Sequence, residues 1–113
     1  MTSFKETLTE NARIVTEELD RLLPLEDGAE ARLMEAVRYA TLSAGKRIRP
    51  FLVMNSAHLF NVSKESAVRV AAAVEMVHCY SLVHDDLPAM DDDELRRGQP
   101  TCHVRFGEAA AIL

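Results

Sequence analysis

The stretch Ala67-Val68-Arg69-Val70-Ala71-Ala72-Ala73-Val74-Glu75-Met76-Val77-His78-Cys79-Tyr80-Ser81-Leu82-Val83 decides the fold. Thirteen of its seventeen residues are apolar, and they fall on every side of a helix with 3.6 residues per turn. A helix from about Lys64 to Leu87 is therefore expected, buried within a bundle and stopped by Pro88. Arg69, Glu75 and His78 interrupt the run, so a lipid-facing membrane span is not expected.

The flanking sequence reads as helix in the same way. Ser3 and Glu6 form a capping box, and Phe4, Leu8, Ala12, Val15, Leu19 and Leu22 stripe one face until Pro24. Asp27 with Glu30 repeats the box ahead of a helix striped by Leu33, Val37 and Ala40, which Gly45 should end. Pro50 suits the first turn of a third helix, Phe51 to Phe60. The polar segment from Pro88 to Pro100 reads as irregular. Phe106 onward opens a last helix, which carries no stop signal and predicts a larger protein.

Composition agrees. Of 113 residues, 48% are hydrophobic and 27% charged, with only four Gly, four Pro and no Trp. That favours an all-α fold, an antiparallel helix bundle in a single domain over 1–113, rather than a turn-rich sandwich. A net charge of −5 argues against nucleic acid as a partner. Two cysteines, Cys79 and Cys102, are too few for a disulfide framework. Lys5, Glu6 and Glu10 interrupt any apolar leader, so a cytoplasmic protein is expected.

Two charge clusters of opposite sign carry the chemistry. Gly45-Lys46-Arg47-Ile48-Arg49-Pro50 gathers three cations where a helix N-terminus presents unpaired amides, an arrangement suited to phosphate or diphosphate. It is no Walker loop: Ala40 stands where the first Gly is needed, and Arg47 follows Lys46 in place of Ser or Thr. Taken alone, a solvated basic turn explains it equally well. Asp85-Asp86-Leu87-Pro88-Ala89-Met90-Asp91-Asp92-Asp93-Glu94 holds six of the eighteen acids, and the remaining 12 nearly balance 13 bases. Pro88 should turn the chain so that Asp91 swings back toward Asp85 and Asp86. Hard oxygen donors with room for water suit Mg²⁺ bridging to substrate phosphates. An EF-hand fails, with Arg96 at the sixth position and Cys102 at the twelfth. A solvated acidic loop is the plainer alternative, but a fully apolar helix leads directly into the first two aspartates. Arg96-Arg97, shaped by Gly98 and Pro100, adds two cations beside the acids. His78 lies two turns, roughly 10 Å, before Asp85 on the same helix.

In order, spacing and type, Gly45-Lys46-Arg47-Ile48-Arg49-Pro50, Glu75-Met76-Val77-His78, Ser81 through Asp91 and Arg96-Arg97-Gly98 resemble the first aspartate-rich region of the trans-isoprenyl diphosphate synthases. The likeness is nearest to the bacterial, farnesyl-length type, and it covers the N-terminal portion of such a protein. It implies an all-α fold around a cavity and a Mg²⁺-dependent prenyltransferase. That enzyme condenses isopentenyl diphosphate with dimethylallyl or geranyl diphosphate to give farnesyl diphosphate. Within the resemblance, Asp85, Asp86 and Asp91 match the metal-binding motif, and Arg96 matches the allylic-diphosphate arginine. Lys46, Arg49, His78 and Arg97 match the isopentenyl diphosphate site. Tyr80, with Ser81 beside it, matches the residue that floors the product tunnel. A homodimer is the expected assembly. The second aspartate-rich motif of the family is missing, so the 113-residue chain alone is expected to be inactive.

Alternatives within the class are a geranylgeranyl or other short-chain synthase and a non-catalytic, truncated or regulatory subunit. A metal-dependent phosphohydrolase using His58 and His84-Asp85 is the remaining rival, although no aspartate follows Asp93 to complete its ligand set.

Overall fold

The computed structural model of the chain describes residues 3–43 and 45–113. Their helices run α1 Phe4–Leu22, α2 Ala31–Leu42, α3 Ile48–Leu59, α4 Lys64–Asp86, α5 Cys102–Phe106 and α6 Glu108–Ile112. A hairpin of two-residue strands, β1 Leu95–Arg96 and β2 Gln99–Pro100, lies between α4 and α5. The fold is all-α, and it divides into two compact units interleaved along the chain.

The first unit holds α1, α3 and α4 as far as Val77. Ser3 and Glu6 form the capping box as expected: the Glu6 amide donates to Ser3 Oγ at 3.2 Å and the Ser3 amide to Glu6 Oε2 at 3.3 Å. Val15 and Leu19 from the α1 stripe are fully buried. Helix α1 packs on α3, where Phe4 meets Phe51 edge-to-face with centroids 5.3 Å apart. Pro50 sits in the first turn of α3, which starts at Ile48, three residues earlier than expected. That helix closes with Asn61 in the left-handed region, while the Val62 amide reaches Ala57 O at 3.0 Å and the Asn61 amide reaches His58 O at 3.3 Å. This is a Schellman closure with Asn in the place glycine usually takes.

The second unit holds α2, the end of α4, the hairpin, α5 and α6. Ala36, Cys102 and Ala111 form its core, with Val83, Leu87, Phe106 and Ala110 packed around them. Burial, and after it the charge of Asp86, pushes the Cys102 thiol up from its ordinary pKa. Tyr39 donates its hydroxyl to Pro100 O at 2.5 Å, fastening the hairpin to α2. Arg105 lies 4.6 Å over the Tyr39 ring, a cation–π contact that fastens α5 to the same helix.

Four sequence expectations are corrected. The Asp27–Glu30 box does not form, because the Ala31 amide turns back onto Gly28 O and Glu30 already has helical dihedrals at the N-cap. Helix α2 ends at Leu42 through the extended backbone of Ser43, ahead of Gly45. The last expected helix starts at Glu108 rather than Phe106, because Phe106 ends the short α5, which the sequence reading does not include, and Gly107, at φ 93° and ψ 159°, adopts a conformation only glycine takes easily. Helix α4 is not buried all round. Its buried residues Ala67, Val68, Ala71, Ala72, Glu75, Cys79 and Asp86 make one stripe, while Val70, Val77 and Tyr80 are 54%, 60% and 55% exposed. By length and composition α4 could cross a membrane, yet two residues of its buried stripe, Glu75 and Asp86, are charged and hold arginines.

Candidate functional site

The C-terminus of α4 leaves carbonyls without helical partners, and the acidic segment satisfies them itself. After Pro88 the chain reverses: the Asp91 amide donates to Asp85 O at 2.8 Å, Asp92 to Leu87 O at 3.0 Å and Asp93 to Asp86 O at 3.1 Å. Asp92 takes a left-handed φ of 53° to complete the turn. The return of Asp91 toward Asp85, expected from Pro88, is thus made by backbone hydrogen bonds. Both Asp85 and Asp91 are exposed.

Asp86 is different. It is 3% exposed, and both carboxylate oxygens accept from Arg96, Oδ2 from Nε at 2.9 Å and Oδ1 from Nη2 at 2.7 Å. The fork-to-fork geometry is the strong form of an ion pair. The Asp86 carboxylate raises the Arg96 pKa above its ordinary value, against the opposing effect of burial. Arg96 can reach Asp86 because β1 pairs antiparallel with β2 through a two-residue loop, Arg97-Gly98. Both loop residues have positive φ, 50° and 76°, as a type I′ turn requires. Thr101 anchors the far side, its hydroxyl donating to Asp93 O at 2.8 Å and its amide to Glu94 O at 3.0 Å. Arg97 stands exposed at the tip.

Among the described residues no three His, Cys, Asp or Glu side chains are gathered closely enough to form a closed metal cage. Mg²⁺ does not ask for one. It keeps several waters and binds through one or two carboxylates together with substrate phosphates. The exposed pair Asp85 and Asp91, held together by their backbone, fits that open arrangement.

One turn back from His84, Tyr80 packs edge-to-face on its ring with centroids 5.1 Å apart. His84 Nε2 lies 3.3 Å from Ile112 O, within hydrogen-bond reach. The Ser81 hydroxyl donates to His78 O at 2.6 Å, and His78 is half-buried.

In the first unit the three cations of the basic loop part company. Lys46 and Arg49 are exposed. Arg47 is 6% exposed, with Nη1 donating to Glu75 Oε2 at 3.1 Å and Nε to Thr16 Oγ1 at 3.3 Å. Neither this pair nor Asp86–Arg96 is apparent from sequence spacing. A lone glutamate inside an apolar helix, such as Glu75, is the signal that could have pointed to a buried partner.

Comparison with known proteins decides the family: the polyprenyl synthetase family model matches residues 30–113. The chain belongs to the polyprenyl synthetase family. The farnesyl diphosphate synthase of Escherichia coli is 62% identical over 81 residues, 72% of this chain and 27% of that protein. A probable farnesyl diphosphate synthase of Bradyrhizobium diazoefficiens is 54% identical over 106 residues, 94% of this chain and 32% of that protein. The crystal structure of a geranyltransferase from Legionella pneumophila superposes with a TM-score of 0.88 at 44% identity, covering 96% of this chain and 38% of that one. The chain thus spans about a third of the length of the polyprenyl synthetases it matches. The phosphohydrolase reading is overturned by the family match.

Proposed function

We propose that this chain supplies the first aspartate-rich half-site of a Mg²⁺-dependent, short-chain trans-prenyltransferase that makes farnesyl diphosphate. The observation that carries the reading is the Asp86–Arg96 fork set beside Asp85 and Asp91. One edge of the guanidinium is spent on Asp86, and Nη1 is left to donate to an incoming diphosphate. Asp85 and Asp91 would hold Mg²⁺ there, with Asp86 at the rim of the same cluster. Bound Mg²⁺ supplies neutralisation of diphosphate charge as the allylic C–O bond breaks.

Ionisation of the allylic substrate concentrates negative charge on the departing diphosphate. A fixed cation such as Arg96 stabilises that state more than the ground state. Lys46, Arg49, His78 and Arg97 are assigned to the second, isopentenyl diphosphate. In the full-length enzyme the apolar side chains of α4 toward Tyr80 would help shield the allylic cation until the isopentenyl double bond attacks, and the departing diphosphate would take the proton whose loss forms the new double bond. In a full-length enzyme carrying this chain, radiolabelled isopentenyl and geranyl diphosphates should give a fifteen-carbon product. EDTA should abolish that product and Mg²⁺ restore it. Product formation that survives EDTA would overturn the metal assignment, and none under any condition would favour a non-catalytic subunit.

Product length rests on Tyr80. It lies five residues before Asp85, about 7.5 Å back along the axis and offset by about 140°. It exposes 55% of its surface next to the small Ser81. A prenyl tail running back from the aspartates meets this ring after a few isoprene units. Tyr80→Ala should shift the main product from fifteen toward twenty or more carbons, read by chromatography after dephosphorylation. An unchanged product from an active variant places the floor elsewhere.

A further inference from the structure

The hairpin that delivers Arg96 has little in itself to hold it in place. Its strands are two residues each, and an isolated two-stranded hairpin is marginally stable in water. It buries almost no apolar surface: Leu95 is 64% exposed, and Gln99 and Pro100 are exposed as well. Its turn carries a non-glycine residue, Arg97, in the left-handed region at φ 50°, a conformation unfavourable for a side chain. Yet Arg96 meets a buried carboxylate with both arms of its fork, a geometry that tolerates a displacement of only about 0.5 Å. What fixes the hairpin comes from outside it. Tyr39 of α2 donates its hydroxyl to Pro100 O at 2.5 Å, and Pro100 is the register partner of Leu95, next to Arg96. Pro100 has no amide hydrogen, so its carbonyl is the backbone group through which it can be held. The Tyr39 ring is itself gripped by α5: Phe106 meets it edge-to-face with centroids 5.4 Å apart, and Arg105 lies 4.6 Å over it. One residue on, Thr101 is the N-cap of α5 and 2% exposed, yet its hydroxyl makes no capping bond. It donates to Asp93 O instead, while the Thr101 amide donates to Glu94 O, closing the open end of the hairpin.

We infer that Tyr39 is a positioning residue for Arg96, with Thr101 as a second clamp on the same strand. By fixing β2, the Tyr39 hydroxyl fixes β1 across the ladder, and with it the direction from which Arg96 reaches Asp86. The inference rests on the reading of Arg96 given above, and it adds a residue that lies outside both charge clusters. A tyrosine that served stability alone would affect both substrates together when altered. One that acts through Arg96 affects the allylic diphosphate and leaves the isopentenyl diphosphate alone.

The test is steady-state kinetics of a full-length enzyme carrying this chain, with geranyl and isopentenyl diphosphates varied separately. Tyr39→Phe deletes one hydroxyl and keeps the ring against Phe106 and Arg105. It should raise the Michaelis constant for geranyl diphosphate about three- to tenfold, the worth of one hydrogen bond, and leave that for isopentenyl diphosphate within about twofold. Thr101→Val should act in the same sense, and Thr101→Ser, which keeps the hydroxyl, should retain the unmodified values. In the substrate-free protein, hydrogen exchange read by mass spectrometry should show the hairpin amides exchanging faster in Tyr39→Phe. Arg96→Lys keeps the charge but loses the fork, and should raise the geranyl diphosphate constant by more than Tyr39→Phe does. In that background Tyr39→Phe should add less than about twofold, because its effect is carried by Arg96. Cys102→Ala loosens the core of the same unit without removing either hydroxyl, and should leave both constants within about twofold. Unchanged constants or unchanged exchange in Tyr39→Phe would overturn the inference. So would an equal rise for both substrates, a fully additive effect on Arg96→Lys, or an equal rise in Cys102→Ala. If Arg96→Lys leaves the geranyl diphosphate constant unchanged, the reading of Arg96 as the allylic-diphosphate cation is what fails.

Discussion

Replacing Asp85 with alanine in a full-length enzyme carrying this chain is expected to lower turnover about a hundredfold or more without loss of stability. Both halves follow from position. Asp85 is exposed in the last turn of α4, where a carboxylate faces the negative end of the helix dipole, an unfavourable placement of about 0.3–1 kcal/mol. It is also one of six acids between Asp85 and Glu94, so its removal lowers the like charge of that segment. A residue kept where it costs stability is kept for what it binds. Asp86→Asn should lose activity differently. The amide can accept from only one arm of Arg96, so the guanidinium loosens, and the Michaelis constant for the allylic substrate should rise more than for the isopentenyl one. Thermal melting and steady-state kinetics of the two variants check both expectations. A turnover change below about tenfold for Asp85→Ala, about 1.4 kcal/mol of barrier, would sink the metal assignment.

What the sequence made legible was local. The Ser3–Glu6 box formed because both partners lie within one turn and nothing competes with them. The identical-looking Asp27–Glu30 spacing failed because Gly28, at φ 101°, bends the chain into a turn that delays the helix to Ala31. The apolar run of α4 identified a helix but could not say which side is covered, since alanine and valine occur all round it. Only the buried positions reveal a stripe. The hairpin escaped notice because its strands are two residues long, too short for any alternation to register. The candidate site was legible in its residue types and order but not in its pairings. Arg47 and Glu75 lie 28 residues apart, and no spacing rule joins them. The three cations that the sequence gathers in the basic loop are, in the structure, two exposed groups and one anchor.

Leu19→Ala is expected to cost about 2–5 kcal/mol, whereas Phe60→Ala should change stability by less than about 0.5 kcal/mol, although composition alone would rank phenylalanine the weightier loss. Leu19 is fully buried and is the largest of the fully enclosed side chains among the described residues, while Phe60 is 79% exposed just past α3. Deleting the leucine leaves a cavity that Val15 and its neighbours can collapse into only partly; deleting the phenylalanine returns surface that water already reaches. Set against a domain stability of about 5–15 kcal/mol, the first change removes a large fraction of what holds the unit together. The consequence reaches function because α1 carries Thr16, which hydrogen-bonds Arg47, and α1 packs on α3 beside the basic loop. Urea titration followed by circular dichroism reads both stabilities. Equal midpoints for the two variants would mean that the α1 stripe does not carry the core of its unit.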